Sequence, residues 1–409
     1  MPTKKKIFLI TALLYILYTI FPLFADVSGI PIWLISIVTF VTMLSLYPKA
    51  YINKAFYWFL AYTFLLIMYF LVGRGLHIGI GSVNDSKKIL IESAWILPSI
   101  SIFSILCYLN DYNLTNKMVK WSIMILYISF IVTVPLMLKY NSIREALSIE
   151  QQEGFSVPGL PGYTLMHSYT IFLPALCYLF KTLQSRKKVF AFWGLMALCF
   201  VIYDTFITTS LIIMIVVVLF TLTYSKNHTS QLWIMLILLS IVIYILYRLG
   251  FFISLIDWIL PAFEGTSVEY KLNDFKESMI EGQLTGDSIT GRVDFHDISI
   301  NSFFTNPLFG GNRSGGHSSL LDRFGGMGIV VGLPYLFMFI SIMKQLNKLY
   351  ITKTAKMFFY VGIIVGAVFL YNKGLFGCEG WLMYTVLMPM GILSFERIIL
   401  EKKIDSHES

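Results

Sequence analysis

Apolar residues run through this chain in long blocks separated by short polar breaks. Blocks of this kind fall at about 7–24, 31–48, 55–73, 88–109, 118–138, 164–181, 188–204, 208–225, 231–254, 320–343, 355–371 and 379–396. A bilayer needs about 20 apolar residues per helical crossing. Backbone in lipid must bond internally, so each block is expected to be a helix. The pattern predicts an all-α, polytopic membrane protein of about twelve transmembrane helices. The break at Tyr203-Asp204-Thr205 is the weakest, and one long helix with a re-entrant piece also fits 188–225.

Three polar segments interrupt the pattern more deeply: Gly73–Lys87, Lys139–Tyr163 and, the longest, Ile256–Ser319. The last holds amphipathic stretches at Glu269–Ile280 and Thr290–Phe304, so it is expected to be folded rather than a plain linker. Three regions follow. Residues 1–255 carry nine membrane helices, 256–319 form a large loop with short helices, and 320–409 add three helices and a tail.

Composition agrees. Of 409 residues, 57% are hydrophobic and 13% charged, with mean hydropathy +0.74. Soluble domains carry about a quarter charged residues. Runs such as Ile7–Phe24 and Leu211–Tyr224 are too apolar and too many for one soluble core. Lys4–Lys6 before an apolar run imitate a signal peptide, but no small-residue cleavage site ends it, so it reads as a retained helix. Cys107, Cys177, Cys199 and Cys378 are scattered and indicate neither a disulfide framework nor a zinc site.

The net charge of +8 is a topology signal rather than a nucleic-acid one. With the N-terminus in the cytoplasm, 19 of the 31 basic residues fall in cytoplasmic segments. An even helix number returns the C-terminus there, and the long loop then faces the periplasm or exterior.

The loop and the helix after it hold most of the candidate chemistry. Arg292, His296 and Ser299 share one helical face. An arginine fork matches phosphate oxygens, although the bland reading is a solvated face. Asn306-Pro-Leu-Phe-Gly310 reads as a turn. Ser314-Gly-Gly-His317 delivers a histidine to a helix start, where anions are favoured and an imidazole can act as a base. Arg323 lies at the membrane edge, with Asp322 as an available ion-pair partner. Weaker candidates are Arg74, Arg144, His167, Asp204, Lys373 and Glu379. Asp294 and Asp297 come nearest to a metal pair, and no metal or cofactor is expected.

Taken in order, Arg292, Asn306–Gly310, His317-Ser-Ser-Leu-Leu321 and Gly325–Gly328 resemble the motif block of the O-antigen polymerase and ligase superfamily. The resemblance implies a GT-C-like glycosyltransferase of the inner (cytoplasmic) membrane, acting on undecaprenyl-diphosphate-linked oligosaccharide. It implies a polymerase of O-antigen or capsular repeat units, with membrane lipids, a flippase and a chain-length regulator as partners. It makes Arg292 a diphosphate ligand and His317 the group that orients or deprotonates the acceptor hydroxyl. Many members carry a Ser-Arg pair before the large loop. Here Thr208-Thr-Ser-Leu211 has the serine alone, leaving Arg144, Arg313 or Arg323 as further diphosphate ligands and His167, His296, Asp322 and Arg74 as secondary candidates. A ligase acting on lipid A-core shares the block. A lipid-linked oligosaccharide flippase or an inactive assembly partner are the readings from other classes. The sequence shows no internal repeat and few charges at mid-depth in the helices, which speaks against a transporter.

Overall fold

The computed structural model describes residues 1–72, 77–78, 86–139, 159–160, 162–183, 186–204, 208–224, 249–264, 269, 272–273, 276–277, 280, 287–372 and 377–408. Side chains of 77–78, 86–92, 163, 186–187, 204, 208, 269–293 in part (287–293) and 401–408 lie outside that description.

The helices, in chain order, are α1 (Thr3–Ile20), α2 (Pro22–Ser28), α3 (Ile32–Leu46), α4 (Lys54–Leu71), α5 (Ser86–Leu109), α6 (Tyr112–Lys139), α7 (Tyr163–Thr182), α8 (Arg186–Asp204), α9 (Thr208–Thr223) and α10 (Phe251–Ile259). Then come α11 (Asp287–Thr305), α12 (Ser319–Asn347), α13 (Lys353–Asn372), α14 (Gly377–Leu382) and α15 (Met388–Glu408), the last two joined by a π-helical turn at Met383–Leu387. The only strands among the described residues are two-residue pieces, β1 (His77–Ile78) and β2 (Arg313–Ser314), paired in parallel.

Eleven of the apolar blocks coincide with helices in this order. The block at 231–254 lies mostly outside the described residues, and so does most of the amphipathic stretch at 269–280. The stretch 188–225 is two helices, α8 and α9. The loop region is less sharply bounded than its polarity implies, since α10 runs across its start, and α15 continues as helix into the C-terminal tail.

Five helical segments among the described residues are long and apolar enough to cross a membrane: Lys54–Leu71, Tyr112–Lys139, Ser319–Asn347, Lys353–Asn372 and Gly377–Leu400. α1 and α2 together make a sixth if that pair, bent by 96°, is one span. Leu14, Ile131, Leu222 and Trp258 point outward and are more than half exposed, as lipid-facing side chains are. The protein is an all-α, multi-pass membrane protein. The prolines within its helices, Pro98, Pro135, Pro174 and Pro334, are of the kind such helices accommodate.

Contacts sort the helix ends into two sets. At one end Lys5 pairs with Asp111 before α6, and Arg397 of α15 lies 4.1 Å over the Tyr112 ring. Buried Glu396 accepts from the Ile351 and Thr352 amides, capping the entry to α13. Beside them, Asn53 caps α4 and reaches Ser104 near the end of α5. The other end gathers Tyr69 at the close of α4, the start of α12 and the end of α13. The candidate motifs therefore sit at the end away from Lys5 and Arg397. α12 packs most extensively on α4 and on α11, which ties the polar loop helix to the bundle.

Candidate functional site

The motif residues form one interlocked unit. α11 and α12 approach so closely at Gly325 that a Cβ there would stand 2.3 Å from the Ser299 carbonyl oxygen. The serines of α11 use this proximity. Ser302 Oγ donates to the Gly325 carbonyl at 2.9 Å and accepts from the Arg313 amide at 3.1 Å. Ser299 Oγ donates to Asp322 at 2.8 Å and accepts from the Gly315 amide at 2.9 Å.

The Asn306–Gly310 turn is more than a connector. α12 breaks at Gly328, whose φ of 67° and ψ of −167° are open to glycine and strained for other residues. The break leaves amides of the next turn without helical acceptors. The turn supplies them: Ile329 donates to the Pro307 carbonyl at 2.9 Å and Val330 to the Leu308 carbonyl at 3.2 Å. Asn306 holds the turn itself, accepting from Phe309 on its side chain at 3.2 Å. From α4, the Tyr69 hydroxyl lies 2.6 Å from the Gly326 carbonyl and 3.1 Å from Asn312 Oδ1.

A free helix N-terminus was the expected anion site at His317. The structure corrects this. Asp322 is 3% exposed, and its carboxylate accepts from the Ser318 amide at 3.1 Å and the Gly316 amide at 3.3 Å. Ser318 caps α12 on the Leu321 amide. The anion held at this helix start is the chain's own. Asp322 therefore positions the segment carrying His317, whose exposed ring packs 4.4 Å from that of Phe295.

Arg323 also departs from expectation. It is fully buried and turned into the bundle rather than toward Asp322. Its Nε donates to the Tyr62 hydroxyl at 3.2 Å and a terminal nitrogen donates to the Ser319 carbonyl at 2.7 Å. The guanidinium lies 4.4 Å from the Tyr335 ring. One phenol oxygen, a carbonyl and a ring face stand where the predicted carboxylate partner would be. This places Arg323 away from any exposed surface where a lipid diphosphate would be met.

The other candidates divide. Arg292 is a helical residue of α11, one turn before His296, and its side chain lies outside the described residues. His296 is half-buried, its ring 5.0 Å from that of Tyr371 at the end of α13. Arg313 is exposed and, with Asp294, Asp297, Asn301 and Thr305, lines a groove of about 660 Å³ along α11. His167 is buried, as a satisfied core histidine would be, with Nδ1 3.2 Å from Ser210 Oγ and its ring 4.9 Å from Phe369. Arg74, Arg144 and Lys373 lie outside the described residues, as does the side chain of Asp204. Asp294 and Asp297 share the Arg313 groove. Among the described residues no three His, Cys, Asp or Glu side chains converge on a metal-sized point.

Several contributors have no motif of their own. The backbone of His77 pairs with Arg313, bringing the first polar loop to the site. Tyr62 and Tyr69 serve it from α4. A second cavity at the same end, of about 380 Å³, is lined by Asp26, Thr164, Trp95 and Glu379. There the Asp26 carboxylate also accepts from the Gly159 amide at 2.8 Å. A polar residue at the edge of an apolar block is the signal the sequence offers for Asp26 and Glu379, and of the two only Glu379 is among the candidates read from sequence.

No protein-family model matches the chain, and neither does any protein of curated function.

Proposed function

We propose that this protein is a membrane glycosyltransferase that polymerises undecaprenyl-diphosphate-linked repeat units into O-antigen or capsular polysaccharide. In this reading all twelve apolar blocks cross the cytoplasmic membrane in a GT-C-like arrangement. Both termini are cytoplasmic, and the motif end faces the periplasm or exterior, where a flippase delivers the lipid-linked units.

The observation that carries the reading is the exposed His317 imidazole, held on a segment fixed by Ser299 and Asp322 and packed on Phe295, one helical turn from Arg292. The hydroxyl of the incoming unit attacks the anomeric carbon of the lipid-linked chain. A new glycosidic C–O bond forms as the bond to diphosphate breaks. His317 takes the hydroxyl proton, and undecaprenyl diphosphate leaves with the bonding pair. Because the amides at the α12 start are occupied by Asp322, side chains must hold the diphosphate. Arg292 is the first choice, with Arg313 at the groove as the second. Fixed cations of this kind stabilise the leaving charge in place.

The test is polymerisation of synthetic lipid-linked repeats by the full chain in proteoliposomes. His317→Ala is expected to lower kcat by about 10²–10⁴, the usual contribution of a general base. Full activity in correctly inserted His317→Ala protein removes the proposed role. A deletion strain separates the classes. Single-repeat caps mark a polymerase, lipid-linked polymer left untransferred marks a ligase, and units trapped on the cytoplasmic leaflet mark a flippase.

A further inference from the structure

A groove lies at the other end of the bundle. It is about 730 Å³ and is bounded by the first turns of α6, the close of α7, the start of α8 and the middle of α15. Its walls are apolar, with Ile123, Met124, Leu179, Leu183 and Ile398 among them. Two cations line it, Lys117 and Lys120, one helical turn apart on α6.

Both lysines are exposed, and neither forms an ion pair among the described residues. The described acids and bases nearby are engaged. Asp111 takes Lys5, and burial of Glu396 is offset by the Ile351 and Thr352 amides. Lys181 donates to the Thr221 carbonyl, Lys188 lies over the Phe180 ring, and Arg397 donates to Tyr112. Among the described residues no carboxylate lines the groove. The result is an apolar trough between membrane helices with two lysines that make no ion pair among the described residues. A lysine stem can lie along such a wall while its ammonium reaches the headgroup level.

We propose that this groove binds one phospholipid with an anionic headgroup. The phosphate sits between Lys117 and Lys120, and an acyl chain runs along Ile123, Leu179 and Leu183. Charge complementarity selects the anionic headgroup over a zwitterionic one, and the groove's place between membrane helices selects a lipid over a soluble phosphate. The site is separate from the motif end and does not depend on the chemistry proposed there.

Delipidated full chain, with phosphatidylglycerol or phosphatidylcholine added back, tests this by native mass spectrometry. One phosphatidylglycerol is expected to stay on each chain, with phosphatidylcholine held far more weakly. Each lysine near an anionic lipid contributes about fivefold in affinity, so Lys117→Gln with Lys120→Gln should weaken phosphatidylglycerol retention by about 25-fold. The double change to arginine keeps the charge and should keep the lipid, which separates charge loss from misfolding. Unchanged retention in the double glutamine protein overturns the proposal. So does equal retention of phosphatidylcholine, and so does displacement of phosphatidylglycerol by equimolar undecaprenyl phosphate, which would assign the groove to an isoprenoid lipid.

Discussion

Pro307 caps Ile329. The Pro307 carbonyl accepts from the Ile329 amide at 2.9 Å, across the point where α12 breaks at Gly328. One short turn thus substitutes for the missing helical acceptor and locks the loop onto a membrane helix. This joint underlies the first prediction.

Gly328→Ala should disable the protein without touching any reacting group. A Cβ there would stand 2.3 Å from the Leu308 carbonyl oxygen, and its φ of 67° is unfavourable to alanine. Backbone strain of this type costs about 1–3 kcal/mol before the clash is added. The thermal midpoint should fall, and the proposed polymerisation should fall with it. A variant as stable and active as the parent would show that the break is not required.

Asp322→Ala should leave the Ser299 hydroxyl and the Gly316 and Ser318 amides without their acceptor. Each buried donor so stranded costs about 1–3 kcal/mol. kcat should drop because the His317 segment loses its fixed position, and KM for the lipid-linked donor should change little. A large KM effect with unchanged kcat would instead make Asp322 a binding group.

Tyr62→Phe removes the acceptor for Arg323 Nε inside the bundle. A hydrogen bond to a charged group contributes about 1.5–3 kcal/mol. The expected outcome is a lower unfolding midpoint with normal activity per folded molecule, read by thermal denaturation and single-turnover assay. A loss of donor binding at normal stability would return Arg323 to the proposed diphosphate site.

Arg313→Ala should do the reverse. Arg313 is exposed at its groove and only its backbone amide is held by Ser302. Stability should hold while KM for the lipid-linked donor rises about tenfold or more, as loss of a charged hydrogen bond implies. Unchanged KM would leave diphosphate binding to Arg292 alone.

The Lys5–Asp111 pair makes a pH prediction. The hydrogen bond from Lys5 holds the Asp111 carboxyl below the usual carboxylate range. A carboxylate with a depressed folded value contributes stability above its unfolded value and loses it as pH falls through the folded one. The stability difference between parent and Asp111→Asn should be constant near neutrality and vanish as pH falls through and below the usual carboxylate range. Thermal unfolding in detergent measures it, and a difference that grows on acidification would contradict the assignment.

The sequence alone determined where most of the described helices lie and in what order the motifs come. Both are local properties. An apolar block long enough for a bilayer is helical whatever it packs against, and α11 could be read from Thr290–Phe304 by its amphipathic spacing. The direction in which the polar groups point was decided only by tertiary structure. A helix apolar on every side carries no stripe to mark its inner face. Arg323 could therefore be placed at the membrane edge from sequence, yet it faces Tyr62, 261 positions earlier. Adjacent in sequence, Asp322 and Arg323 project to different sides of α12, one to the loop amides and one into the bundle. The pairing of His77 with Arg313, and of Tyr69 with Gly326, likewise joins segments with no shared local pattern. Packing of α4 and α11 on α12 sets those neighbours, and it is a property of the assembled bundle.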